Sequence, residues 1–128
     1  FEHVPAEDLP VVDGNGIRAT VIMGSLWGQT SPVTQHAATI YADIAMAAGA
    51  SVEIAAEADE RAVLVAAGSA SLDGQSLERH ALHILRPGQA MMLRADAEAR
   101  VMLLGGEAFA TPRHVWWNFV SSSRDRIN

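Results

Sequence analysis

Residues 49–68, GASVEIAAEADERAVLVAAG, decide the fold that this sequence predicts. Two segments, residues 51–55 and 62–67, flank a turn at residues 58–60, and a glycine closes each end. The many alanines favour a helix by propensity alone. The period-two alternation and the flanking glycines favour strands instead, and they interrupt any helix longer than a few turns. We therefore predict a β-hairpin here.

The same alternation continues outward on both sides. Residues 17–23 form one predicted strand, and in the strand at residues 39–47 Tyr41 and Asp43 face away from the apolar side chains. Further strands are predicted at 69–72, 80–85, 90–94 and 100–104, the last two as a pair, with an Asp-Gly turn after residue 72. A strand roughly every 8–12 residues is typical of an antiparallel sandwich or barrel. The fold class predicted is all-β, an antiparallel jelly roll.

The two ends of the chain have a different character. Residues 1–16, FEHVPAEDLPVVDGNG, contain two prolines and a DGNG turn, which predicts an extended arm or linker. Three serines at 121–123, followed by RDRI, resemble an N-cap and the first turn of a helix. The predicted organisation is an arm at 1–16, a barrel at 17–120 and the start of a short C-terminal helix at 121–128.

Composition excludes several classes of function. A chain of 128 residues, 49% hydrophobic and 19% charged, is long enough for one globular domain. It has no cysteine, so it can form neither a disulfide nor a thiolate site. A net charge of −6, with nine scattered arginines and no lysine, argues against direct nucleic-acid binding.

Targeting signals are equally scarce. No apolar run reaches the length of a membrane span, and no signal peptide opens the chain, so we expect a cytoplasmic protein without a membrane partner. The sequence begins with Phe1 rather than Met. We expect it to be part of a longer polypeptide.

Several motifs together resemble one protein family. They include FEHVPAEDLP at the start, VMLLGGEAF at 101–109 and PRHVWWNFVSSSRDRI at 112–127, the most specific piece. These segments resemble the C-terminal half of the pirin family, whose members contain two cupin domains in tandem. The resemblance implies a cupin (RmlC-like) barrel. For the intact parent protein it implies an iron-dependent, quercetinase-like dioxygenase or a redox regulator.

The resemblance also implies where metal ligands would stand. The cupin signature runs Gly, five residues, His-x-His, three or four residues, Glu, six residues, Gly. Fitted between Gly49 and Gly68, its ligand positions become Ala55, Glu57 and Arg61, and the histidine of the second motif becomes Met91. This set cannot supply the two imidazoles and one carboxylate of a non-haem iron site. In pirins the iron lies in the N-terminal cupin, so we expect no cofactor in this chain.

Three other readings of polar residues remain open. Glu57 and Arg61 are interpreted as a solvated ion pair, although with Tyr41 they could line a pocket for a small molecule. A metal site built from Glu57, His36 and His83 is a weaker alternative, because metal ligands must converge.

The tryptophan pair suggests an interface. Trp116 and Trp117 point to opposite faces if the chain is extended, so one is expected to pack on the barrel and the other to meet a partner.

These observations predict a metal-free, non-catalytic cupin domain. It would pack on a metal-bearing N-terminal cupin of the same protein or on a second copy of itself. The alternative is a metal-independent binder or enzyme that uses the barrel interior. The sequence assigns no catalytic residue in this chain.

Overall fold

The computed structural model describes residues 1–127. Almost all of its regular structure is extended, which confirms the all-β prediction. The strands, in chain order, are β1 Val11–Gly14, β2 Ile17–Met23, β3 Ser25–Leu26, β4 Gln29–Thr30, β5 Thr39–Met46, β6 Ser51–Ile54, β7 Glu60–Ala67, β8 Ala70–Leu72, β9 Gln75–Ser76, β10 Leu82–Ile84, β11 Met91–Ala95, β12 Ala99–Gly106, β13 His114–Trp116 and β14 Phe119–Ser121. Two short 3₁₀ turns, Ala6–Asp8 and Arg124–Arg126, lie near the ends.

Two antiparallel sheets make up the body. One has six strands in the order β1-β2-β5-β12-β7-β10, and the other has four in the order β6-β11-β8-β9. Two small hairpins, β3–β4 and β13–β14, stand outside these sheets. The fold is thus antiparallel and two-layered, as predicted for a jelly roll.

The core lies between the inner faces of the two sheets. Along β5 the buried positions are Ala42, Ile44 and Met46, which is the predicted alternation. Apolar side chains from both sheets meet there in one cluster. Its largest fully buried members are Ile44, Met46, Ile54, Leu93, Leu103, Val63, Val65 and Val101. These side chains fill the barrel interior.

The predicted hairpin at residues 49–68 is wrong in its pairing. Strand β6 pairs with β11 in the four-stranded sheet, whereas β7 pairs with β12 and β10 in the six-stranded sheet. The predicted pair at 90–94 and 100–104 is wrong for the same reason, because β11 and β12 lie in different sheets. Alternation shows which side chains point inward, but it does not identify the neighbouring strand. In each case the chain crosses from one layer to the other.

The turn and glycine predictions are confirmed. Asp73 and Gly74 both have positive φ in the two-residue turn between β8 and β9. Gly68 has a φ of +73°, and a Cβ there would lie 1.8 Å from the Glu98 carbonyl oxygen. Only glycine fits that close approach between two backbones.

The sheet begins before the predicted barrel boundary at residue 17. Strand β1 pairs with β2 as an edge strand, through a turn at Asn15 and Gly16, so only residues 1–10 resemble an arm. At the other end β14 closes at Ser121, and one 3₁₀ turn stands where the helix was expected. The last residue of that predicted segment, Asn128, lies outside the described residues. Within residues 1–127, the structure has no helix of the length and apolarity that a membrane crossing requires.

Candidate functional site

Arg61 is a buried cation at one end of the barrel. It occupies an inward-facing position on β7, in alternation with Val63 and Val65, and only 2% of it is exposed. Its Nη1 donates to the carbonyl oxygens of Ile54 at 3.2 Å and Ala55 at 2.7 Å. Nη2 donates to those of Arg86 at 2.6 Å and Gln89 at 2.8 Å, and Nε has no partner. The guanidinium thus joins β7 to the end of β6 and to the turn before β11.

The predicted Glu57–Arg61 ion pair is wrong. Among residues 1–127 the salt bridges are Arg18–Asp13 and Arg100–Asp43, both on the surface. Glu57 lies exposed in the crossover between the sheets, while the alternation of β7 turns Arg61 inward. Burying a charge without a counter-ion is costly. The four charge-assisted bonds to carbonyl oxygens offset that cost.

The cupin ligand positions do not form a metal site. Ala55 and Glu57 are exposed, whereas Met91 is buried and sits opposite Ile54 in the four-stranded sheet. Arg61 brings a positive charge to the place where a divalent cation would need anionic or neutral donors. The residues present therefore do not fit a metal ion.

The alternative histidine site also fails. Within the described chain, no group of three His, Asp or Glu residues lies close enough to hold a metal ion. His83 is engaged with a backbone group, since its Nε2 lies 2.9 Å from the Glu78 carbonyl oxygen. Glu57, His36 and His83 are accordingly not brought together.

Tyr41, Glu57 and Arg61 do not share one pocket. Tyr41 and Arg61 border an open cleft of about 910 Å³ on the six-stranded sheet, whereas Glu57 borders a smaller one. The guanidinium of Arg61 is already committed to backbone carbonyls. The apolar filling of the barrel interior disfavours a binding site there.

The outer face of the six-stranded sheet is apolar. Strand register places Tyr41, Leu104 and Ile84 in one row across β5, β12, β7 and β10, and a second row contains Met102, Leu64 and Leu82. These six residues are called the apolar face below. Leu82 is 51% exposed and Ile84 is 72% exposed. They border the cleft of about 910 Å³.

Asp43 and Arg100 mark the polar border of this face. Arg100 Nε donates to Asp43 Oδ1 at 2.9 Å, and a second contact joins Nη2 to Oδ2. This hydrogen bond and the carboxylate charge of Asp43 raise the pKa of Arg100. An arginine is charged at neutral pH in any case, so this shift does not change the charge of Arg100 there.

The β13–β14 hairpin exposes apolar groups on both sides. Trp116 is 68% exposed and Trp117 is 88% exposed, so the expectation that one indole packs on the barrel is wrong. Val115, Phe119 and Val120 of the same hairpin are exposed as well. Trp117 also has a φ of +53° at the turn, an unfavourable conformation for a large side chain. A two-stranded hairpin of this composition has little to stabilise it in water by itself.

The apolar face also has a signature in the sequence. The inward positions of β7 and β12 are apolar or arginine, and most of their outward positions, such as Ala62, Leu64, Met102 and Leu104, are apolar too. Strands that are apolar on both faces are covered on both sides. That pattern predicts a covered outer face.

Comparison with known proteins gives consistent relationships. Residues 41–128 match the family described as the pirin C-terminal cupin domain. A pirin-like protein of Caulobacter vibrioides is 38% identical over 98% of this chain and 43% of its own length. A Pseudomonas aeruginosa protein assigned by name to the quercetin 2,3-dioxygenases is 30% identical over 99% of this chain and 40% of its own length.

A solved structure shows the same relationship. The crystal structure of quercetin 2,3-dioxygenase from Acinetobacter baumannii superposes with a TM-score of 0.83 and 31% identity, covering 94% of this chain and 41% of that one. The chain therefore spans about two fifths of the length of these relatives.

Proposed function

Since the chain belongs to the pirin family by its match to the C-terminal cupin domain, we propose that it is the packing cupin of a two-cupin protein and holds no metal. Its work is to support a second cupin that carries the metal chemistry. No catalytic residue is assigned to the present chain.

The placement of Arg61 carries this proposal. Arg61 is buried, with 2% of the residue exposed, and it takes one of the four ligand positions of the cupin frame. It bonds the carbonyl oxygens of Ala55, itself at a ligand position, and of three other residues. A cation held in this way repels a divalent ion and uses the space that such an ion would need. In place of a metal ion, Arg61 at this position cross-links the two sheets of the barrel.

The activity of the intact protein belongs to its other part. The names of two relatives point to oxidation of quercetin, and the chain covers about two fifths of each. An iron-dependent, quercetinase-like activity, or a redox-regulatory role, would therefore reside mainly outside residues 1–128. A cytoplasmic location belongs to the same proposal.

Metal analysis of the purified chain tests the proposal. The chain is incubated with Fe²⁺, Ni²⁺ or Zn²⁺, freed of excess ion by gel filtration and assayed by inductively coupled plasma mass spectrometry. The expected content is well below one ion per chain. Glu57→Gln is the matched control because Glu57 is the only carboxylate among the four ligand positions.

The outcomes separate clearly. Equal, low metal content in the wild type and in Glu57→Gln supports a frame without metal. One ion per wild-type chain, lost in Glu57→Gln, would mean that the frame binds metal, and the proposal would fail.

A further inference from the structure

The apolar face is contiguous across neighbouring strands and partly exposed. One row of apolar side chains crosses four adjacent strands and a second row crosses three, and the cleft that they border measures about 910 Å³. Contiguous exposed apolar patches, especially those rimmed by polar residues, are typical of protein interaction sites. The apolar face has this character, with Asp43 and Arg100 at one border.

The opposite sheet provides an internal reference. On the outer face of β6 and β11 the outward residues are Ser51, Glu53, Met92 and Arg94. Three of these four are polar, and the same chain thus has one outer face suited to water and one that is not. A general excess of apolar residues cannot explain the difference.

The start of the chain lies near the cleft. The Glu2 carboxylate accepts hydrogen bonds from the Thr34 backbone N–H and hydroxyl, each at 3.1 Å. Ala37 and Ala38 border the cleft and follow Thr34 by three and four residues, a reach of about 10–14 Å at most. Residues upstream of Phe1 would therefore emerge beside the apolar face.

The exposed hairpin is connected to the same surface. Phe109 borders the cleft, and the Arg113 guanidinium lies over its ring at 4.3 Å from the centroid. Arg113 directly precedes β13, so the base of the hairpin stands at the edge of the cleft. The hairpin thus begins next to the cleft.

From these observations we infer that the apolar face is where the upstream half of the same polypeptide docks, with the β13–β14 hairpin as an arm along it. The inference rests on the proposed function and specifies its surface. The relatives supply the occupant, because more than half of their length lies outside the part matched by this chain. Interfaces between domains of one chain typically bury about 600–1,500 Å².

The chemistry of the docked partner follows from the cleft. Its centre is apolar, so the partner presents an apolar surface there. Glu60 and Glu107 border the cleft, and the chain carries a net charge of −6. The partner is therefore expected to place basic side chains at this rim, since complementary charge favours a specific orientation.

Cleavage between the two halves tests the inference. A protease site is placed directly before Phe1 in the polypeptide that contains both halves, and the cleaved protein is analysed by gel filtration with light scattering. The wild-type halves are expected to elute together. Leu82→Lys and Ile84→Lys, on an edge strand of the apolar face, are expected to weaken the association by at least about 30-fold. Met92→Lys is the matched control on the opposite sheet.

Each outcome has a distinct meaning. Wild-type halves that separate would overturn both the packing role and this inference. If the halves of Leu82→Lys and Ile84→Lys stay together, with unchanged thermal unfolding, the inference alone is overturned. An equal loss of association in Met92→Lys would overturn it as well. A stable dimer of this chain through the apolar face that the upstream half does not displace would identify a second copy as the occupant and overturn the inference as well.

Discussion

The two sheets have inner faces of the same kind and outer faces of opposite kinds. Inside, β5, β7 and β12 of one sheet and β6 and β11 of the other contribute buried apolar residues to a single core. Outside, the six-stranded sheet presents Leu82, Ile84 and Leu104, whereas the four-stranded sheet presents mainly Ser51, Glu53 and Arg94. The outer apolar residues of the six-stranded sheet take no part in that core.

The difference shows that fold and association are encoded on separate surfaces. An apolar outer face adds nothing to the two-layer core, and it exposes the protein to nonspecific contacts. We attribute its presence to docking of the upstream half.

Arg61 joins the two sheets from inside the barrel. Removing its side chain tests how much this contact contributes to the stability of the fold. Arg61→Ala leaves four carbonyl oxygens without their donor and opens a space in the barrel. The free energy of unfolding is expected to fall by about 3–5 kcal/mol, as for the loss of one partner from a buried charged network. Urea denaturation of the isolated chain measures it.

A graded variant checks the cause of that loss. Arg61→Lys keeps the charge but has three donors on one nitrogen, so it cannot span both pairs of carbonyls, and an intermediate loss is expected. A change below about 1 kcal/mol in Arg61→Ala would show that the cross-link contributes little to stability.

Trp27 and Trp116 allow the fold and the proposed interface to be tested separately, because Trp27 belongs to the fold and Trp116 to the interface. Trp27 is half-buried, packs on the core and donates from Nε1 to the Glu53 carbonyl oxygen at 2.9 Å. Trp27→Ala is expected to cost about 2–3 kcal/mol of stability and to leave association of the halves unchanged. Trp116→Ala is expected to weaken association by about 1–2 kcal/mol with stability unchanged. Equal effects of the two variants on both measurements would contradict the separation.

The smallest effect is expected on the polar outer face. Arg94 is exposed on β11 and makes no contact with the apolar face. Arg94→Gln should change the unfolding free energy by no more than about 0.5 kcal/mol and leave the association unchanged. A tenfold loss of association in the gel-filtration assay would instead place part of the interface on the four-stranded sheet.

Much of the fold could be predicted from the sequence, because alternation and turn residues act locally. Strands β2 and β5 and the Asp73-Gly74 turn lie where the pattern predicted them. Sheet partners could not be predicted in this way, since the period of two is the same whichever strand is adjacent. Alternation alone therefore does not distinguish the crossover after β6 from a hairpin turn.

The site was predicted only in part. The resemblance to cupins located Arg61 and Met91 at ligand positions, but burial of Arg61 depends on carbonyl oxygens up to 28 residues away in the chain. No local pattern specifies that such acceptors will converge on one guanidinium. The apolar face was missed because Tyr41 was assigned to a polar side of β5, whereas its neighbours Leu104 and Met23 come from other strands.

The central claim is that docking covers the outer face of the six-stranded sheet and leaves that of the four-stranded sheet open. The chain has no cysteine, so one cysteine can report on each face. Ile84→Cys and Arg94→Cys are compared by maleimide labelling, with the modified site identified by mass spectrometry, in the isolated chain and in the intact polypeptide. We predict that Ile84→Cys reacts at least about tenfold more slowly in the intact protein while Arg94→Cys keeps its rate. Equal rates at Ile84→Cys in both forms, or protection at Arg94→Cys alone, would contradict the claim.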